Sequence, residues 1–392
     1  VTCRHAAECG GCGWQHIAYP AQLEEKRRTL EGLLKGTLGP RAPRVEAMIG
    51  MAAATDGMPW AFRQKAAFVF GHASDGGLSL GHFARGTNDV ISVTECPVHT
   101  ARANRIAFAL RDELRKSGLA AWDGRDGVLR HVVIRTSADE KEAVAVLVVA
   151  RDDRRLQAPL RRLMASPERP TGLMLNVHDR PGPYLVGRES LRVAGTGHVL
   201  EDALGPTFLV SPTGFFQTNL AAAAQLIRLV RGALPSRPRL RVLELYAGSG
   251  LFALPLAKDG HNVVAVEESR KATREAARNA KRNGVPESRL RLVPSRVQEA
   301  LPRLLHERFD AVILDPPREG CPEAVLRPLA ERLAPERLVL VSCNPAALAR
   351  ELALLARAGY RARPVQPVDM FPHTPHVEAV AVLERARRRK PR

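Results

Sequence analysis

From about residue 216 onward, short apolar runs alternate with longer amphipathic stretches. RVLELYA (241–247), NVVAVEES (262–269), LRLVPS (290–295), DAVILDPP (310–317) and RLVLVSC (337–343) are each followed by residues with helical apolar spacing. The runs predict strands and the spacing predicts helices, and their regular alternation predicts a parallel sheet covered on both faces. The last two runs, YRARPVQPVDMF (360–371) and HVEAVAVLE (376–384), have no helix between them and predict an antiparallel closing pair.

Upstream the rhythm is less regular. FRQKAAFVFG (62–71), LRHVVIRTS (129–137), EAVAVLVVA (142–150) and GLMLNVH (172–178) predict strands, interleaved with helical patterns at 103–118 and 156–166. This predicts an α+β domain. A further helix is expected over Ala21–Leu34, just after a cysteine-rich start. A chain of 392 residues exceeds what one hydrophobic core organises. We therefore expect a cysteine segment with its helix at 1–40, a central α+β domain at 41–207 and an α/β domain at 208–392.

Charge narrows the class of partner. Lysine and arginine number 59 against 41 acidic residues, a formal +18, and the chain ends in ERARRRKPR. Such an excess favours a polyanion, because each neutralised phosphate releases counterions. With no apolar run of membrane-spanning length and no basic-then-apolar leader pattern, a cytoplasmic protein is expected. Six cysteines do not make a disulfide framework, but Cys3, Cys9 and Cys12 lie within ten residues. In a reducing compartment that clustering predicts a metal site. Spacing alone leaves zinc open, with His5 or His16 as a fourth ligand.

Open α/β sheets bind ligands at the carboxyl ends of their strands, so the residues there carry the chemistry. Strand one runs into YAGSG, where Gly248 and Gly250 allow close backbone approach. Strand two ends at Glu267, suited to a ribose. A nicotinamide enzyme fits the glycines as well. It does not account for DPPREG after strand four or SCNP after strand five, whereas enzymes using S-adenosylmethionine (AdoMet) commonly keep an acidic or amide residue beside prolines at the former place.

Cys343 at such an edge is a candidate nucleophile. Carbon 5 of a pyrimidine becomes able to accept a methyl group once a thiolate has added at carbon 6, and a base must then remove the carbon 5 proton. His373, His376 and Glu378 are all candidates for that base. The stretch SPTGFFQTN places Phe215, Phe216, Gln217 and Asn219 ahead of a helix, either to stack and read a base or to cap the helix.

Taken in order, CRHAAECGGCGWQH, SPTGFFQTN, ELYAGSGLF, VVAVEES, DPPREG, SCNP and DMFPHTPHVE resemble the RNA 5-methyluridine methyltransferases across almost the whole chain. The resemblance implies a Rossmann-like AdoMet-dependent methyltransferase domain, an α+β RNA-binding domain and a small N-terminal iron–sulfur segment. It makes Cys343 the nucleophile and Glu378 the base. Phe215 would stack on the uracil and Gln217 contact both substrate and cofactor. Tyr246, Gly248, Gly250 and Glu267 would hold AdoMet, with Asp315 between its methionine part and the uracil.

The cysteines resemble the iron–sulfur branch, in which Cys3, Cys9, Cys12 and Cys96 would carry a [4Fe-4S] cluster. That branch suggests large-subunit ribosomal RNA as substrate, with transfer RNA as the alternative, acted on by a monomer. Three departures stand out. The small β-barrel that many relatives carry upstream is expected to be missing, Ala247 replaces a common cysteine, and Ser295 replaces a common acidic residue near the adenine. An RNA cytosine methyltransferase would place a cysteine right after the strand-four prolines, where Arg318 stands. Cys321 reads instead as a helix-start residue. An amino-group methyltransferase needs no covalent cysteine, and a non-catalytic RNA-binding protein needs none of the set.

Overall fold

The computed structural model describes residues 3–73, 75–180, 185–202 and 204–385, so the end of the basic tail, 386–392, lies outside the described residues. The chain forms two compact units. One comprises Val1–Ala18, Ala53–Glu201 and Leu209–Leu220; the other comprises Tyr19–Ala52, Asp202–Phe208 and Ala221–Arg392. The helix after the cysteines, α1 (Tyr19–Leu38), belongs to the second unit.

The first unit is built on a seven-stranded sheet. Its strands are β1 (Lys65–His72), β2 (Leu78–Phe83), β3 (Val90–Ser92), β4 (Leu129–Thr136), β5 (Ala143–Val149), β6 (Gly172–Val177) and β7 (Ser190–Gly195), in the order β3-β2-β1-β4-β5-β6-β7. All neighbours are antiparallel except β5 and β6. Helices α2 (Ala101–Arg115) and α3 (Gln157–Ala165) share its core with Phe68, Leu80 and Leu147. The reason α2 lies there is its stripe of Ala103, Ile106, Ala107, Leu110 and Leu114, spaced to fall on one face and all buried. Sequence periodicity does not single out β2, β3 or β7. Two further short strands, β8 (Val199–Glu201) and β9 (Phe208–Val210), pair with each other.

After α4 (Leu220–Ala233), the second unit follows the expected alternation. Its elements are β10 (Arg241–Leu245), α5 (Ala253–Lys258), β11 (Asn262–Glu267), α6 (Arg270–Arg282), β12 (Leu290–Pro294), α7 (Val297–Leu304), β13 (Ala311–Leu314), α8 (Glu323–Pro328), β14 (Arg337–Ser342) and α9 (Pro345–Arg357). Strands β10 to β14 are parallel in the order β12-β11-β10-β13-β14. All four residues of β13 and all six of β14 are buried, as strands covered on both faces require.

The tail differs from expectation in one respect. The run 360–371 forms two short strands, β15 (Tyr360–Ala362) and β16 (Gln366–Val368), broken at Pro364, which has no N–H to give to a ladder. Both pair antiparallel with β17 (Glu378–Arg385), which also lies antiparallel against β14. The architecture is therefore α/β with a Rossmann-like second unit and a mixed α+β first unit. Among the described residues no helix is long and apolar enough to cross a membrane.

Candidate active site

Adjacent strands β10, β11, β13 and β14 bring their carboxyl ends to one edge of the second unit. Beyond β10 the chain turns sharply through Tyr246, Gly248 and Gly250, all at positive φ (64°, 56° and 88°). Glycine adopts that conformation freely, whereas Tyr246 holds it at a cost. The turn is tied to β11 by Glu267, whose carboxylate accepts from the N–H of Gly248 at 2.9 Å and of Ser269 at 2.7 Å. A carboxylate fixed in this way presents its remaining lone pairs at the strand edge, where ribose hydroxyls can donate to them. Ser295 sits beside it, donating its N–H to the Glu267 carbonyl at 3.0 Å.

Below the turn lies Glu244, which the sequence pattern does not single out. It is buried, and the N–H groups of Phe252 and Ala253 bond to it. Burial, with Asp315 nearby, raises its carboxyl well above the usual range. Only its place on an otherwise apolar strand could mark it.

The second cluster is set by the pairing of β14 with β17. Ser342 lies opposite Ala379, so continuing the register by one residue brings Cys343 opposite Glu378. Glu378 is almost fully buried, and burial followed by the proximity of Asp315 raises its carboxyl well above 4.5. Asp315, at the end of β13, keeps some solvent contact, yet the dense packing around it pushes its carboxyl up to about 7. Cys343 is half-buried. Burial first, then the carboxyls of Glu378 and Asp315, push its thiol up to about 11.

Among the described residues one cation opposes these effects, the exposed Arg318, which favours the anions of both Cys343 and Glu378. Nothing in the residues flanking Cys343 announces it, because it arrives from the loop after β13. Asn344 joins the two loops. Its side-chain oxygen caps α9 by accepting from Ala346 and Ala347 (3.0 and 3.3 Å), and its NH₂ donates to the Arg318 carbonyl at 2.9 Å. Cys343 thus precedes a capped helix N-terminus, whose dipole favours a thiolate.

A thiol held at about 11 is a poor nucleophile at neutral pH. We expect alkylation of Cys343 by iodoacetamide, followed by peptide mass spectrometry, to be slow at pH 7. Because the thiolate fraction grows as pH rises towards the pKa, the rate should climb about tenfold per pH unit. A rate that levels off below pH 9 would contradict this environment.

The histidines near Glu378 separate clearly. His373 is fully buried at positive φ (65°), its N–H donating to Gln22 Oε1 at 2.9 Å, whereas His376 is exposed. Cys321 is buried in the core of the second unit, 3.8 Å from the Tyr246 hydroxyl, just before α8. Its environment is that of a packed side chain.

The first unit holds the remaining expected residues. Residues 214–220 are fastened to β1 and β4. Lys65 donates to the Gly214 carbonyl, Arg135 to that of Phe216, and Gln64 bonds both Thr218 and Leu220. On this anchored segment Phe216 and Asn219 are buried and Gln217 half-buried, while Phe215 is 77% exposed and so presents a free ring face.

Cys3, Cys9, Cys12 and Cys96 all line one cavity of about 330 Å³, together with Arg63 and His5. The cysteine segment reaches it by pairing Cys9 with Ala84, and Cys96 is positioned by Asn104, which bonds both its N–H and its carbonyl. Two buried imidazole nitrogens, His82 Nε2 and His99 Nδ1, have no hydrogen-bond partner among the described residues. Burial drives the Cys96 thiol up to about 12 and raises that of Cys12, with Arg63 opposing at Cys12. A soft, four-thiol donor set in a buried cavity fits a sulfur-ligated metal group. Cys96 also forms a tighter set with His82 and His99, their donor atoms lying within 4.8 Å of one another.

Residues 207–386 match the tRNA (uracil-5-)-methyltransferase family. A protein of Gloeobacter violaceus described as an uncharacterized RNA methyltransferase is 34% identical over 98% of this chain and 83% of its own length. One of Caldanaerobacter subterraneus, described in the same words, is 30% identical over 98% and 84%. The crystal structure of Pyrococcus abyssi tRNA (uracil-54, C5)-methyltransferase with S-adenosyl-L-homocysteine superposes with a TM-score of 0.77. It is 27% identical, covering 95% of this chain and 85% of that one. The chain belongs to this family of RNA (uracil-5) methyltransferases.

Proposed function

We propose that this protein methylates carbon 5 of a uridine in RNA through a covalent adduct between Cys343 and uracil carbon 6. What supports the reading most directly is the β14–β17 register, which sets Cys343 opposite Glu378 with Asp315 beside both. Tyr246, Gly248, Gly250 and Glu267 would hold AdoMet, which would supply an electrophilic methyl group. Cys343 adds to carbon 6, breaking the 5,6 double bond and moving its electrons onto carbon 5 and the neighbouring carbonyl. Carbon 5 then takes the methyl group. Glu378 removes the proton from carbon 5, and the returning electron pair expels Cys343.

In the resting site burial raises the Glu378 carboxyl, and the same desolvation makes its carboxylate a stronger base once ionised. Asp315 holds the uracil edge on one side and the methionine part of AdoMet on the other. Phe215 stacks on the extruded base, and the central stretch, residues 41–207, docks the RNA.

We further propose that Cys3, Cys9, Cys12 and Cys96 carry a [4Fe-4S] cluster with a structural or RNA-binding role, since methyl transfer moves no net electrons. Cys12→Ala should lose iron and sulfide and lower both thermal stability and RNA affinity. Unchanged unfolding and binding would refute that role.

The substrate favoured first is a large-subunit ribosomal RNA uridine, because the four cysteines resemble the ribosomal branch. A transfer-RNA T-loop uridine is the second, favoured by the likeness to the Pyrococcus abyssi enzyme. Either way the protein is expected in the cytoplasm, acting as a monomer. Mapping 5-methyluridine in total RNA with and without the protein tests the function. Loss of one or two ribosomal sites on deletion supports the ribosomal substrate, loss from the T-loop the transfer RNA, and no change refutes both.

A further inference from the structure

Helix α1 carries an unusual face. Tyr19, Gln22, Lys26, Leu30 and Leu34 follow helical spacing and are all buried, but the first three are polar. Burying an ammonium, an amide and a phenol is costly unless each is bonded, so their partners matter.

Those partners are concentrated in five consecutive residues of the second unit. Lys26 Nζ donates to Asp369 Oδ1 at 2.6 Å and to the Phe371 carbonyl at 2.9 Å. Tyr19 donates to the other Asp369 oxygen at 2.8 Å, while accepting from the Met51 N–H at 2.7 Å. Gln22 accepts from the His373 N–H at 2.9 Å and meets its ring at 3.4 Å. The segment they grip, 369–373, contains Pro372 and the left-handed His373, a backbone that needs outside support. Five residues after His373 the chain reaches Glu378, on the first rung of β17.

We propose that Tyr19, Gln22 and Lys26 are positioning residues for proton abstraction, clamping segment 369–373 so that Glu378 meets the carbon 5 proton of the adduct. An apolar face would pack α1 as firmly; bonded polar groups additionally select one loop conformation. The clamp rests on the assignment of Glu378 as base. It acts after methyl transfer, so its loss has a signature that general loosening of the fold lacks: the methylated adduct forms but is released slowly.

The test is to incubate Gln22→Leu and Tyr19→Phe with unmodified uridine-containing RNA and AdoMet. SDS-resistant protein–RNA complex and turnover are measured, after confirming that each variant folds. Tyr19→Phe keeps the ring and serves if Gln22→Leu does not fold. The clamp predicts turnover reduced by about 10- to 100-fold, with complex accumulating well above the wild-type level. Reduced turnover without accumulation, or wild-type behaviour in both variants, overturns it. Glu378→Gln run alongside separates the causes. Complex with Glu378→Gln but with neither α1 variant overturns the clamp alone, and no complex with any of them overturns the assignment of the base and the clamp with it.

Discussion

Glu378→Gln should yield an enzyme that methylates once and then stops, held covalently to its product. Glutamine preserves the shape of the buried side chain but cannot take a proton, so addition and methyl transfer proceed and elimination does not. Turnover should fall by about 10²- to 10⁴-fold, the usual contribution of a general base, while most of the enzyme migrates as a complex with RNA on a denaturing gel. The burial that raises the Glu378 carboxyl makes the amide easy to accommodate, so the variant should fold. If it turned over at the wild-type rate, the base would lie elsewhere. His376 is then the remaining candidate in that segment, because His373 is fully buried and bonded to Gln22.

Cys343→Ala should behave oppositely, losing turnover without forming any complex. Without addition at carbon 6 there is no electron density at carbon 5 to receive the methyl group, so the loss should reach at least about 10⁴-fold, as for other enzymes stripped of their nucleophile. AdoMet and RNA binding should persist, because the thiol contributes neither the Gly248–Glu267 turn nor the Phe215 ring. The site around Cys343 disfavours its thiolate in the resting protein, with Arg318 and the α9 terminus as the opposing influences.

Much of this site is legible in the amino-acid sequence. Strands buried on both faces are written as unbroken apolar runs, and β13 and β14, buried throughout, are the clearest cases. Because ligands gather at the carboxyl ends of such strands, Cys343, Asp315 and Glu267 can be picked out by position alone. The base cannot. His373 and Glu378 sit five residues apart in one segment, and what distinguishes them is Gln22, 351 residues from His373.

Arg318 is hidden for a similar reason. It acts on Cys343 from a neighbouring loop, a proximity created by the pairing of β13 with β14. In the first unit β2 escapes a periodicity reading, although Ser79, Leu80 and Gly81 are buried. With Ser79 and Gly81 inside it and glycines just before Leu78, it does not read as a strand by alternation. The break at Pro364 shows the same limit, since one apolar stretch serves two short strands.

The most direct test of the covalent mechanism uses RNA in which the target uridine is replaced by 5-fluorouridine. Fluorine at carbon 5 cannot leave as a proton does, so after addition and methyl transfer no base can complete the elimination. In the presence of AdoMet, the wild-type protein should form a stoichiometric, SDS-resistant complex whose RNA-bearing peptide contains Cys343, and Cys343→Ala should form none. A complex that survives Cys343→Ala, or methylation of normal RNA by a protein that never traps the fluorinated one, would contradict it.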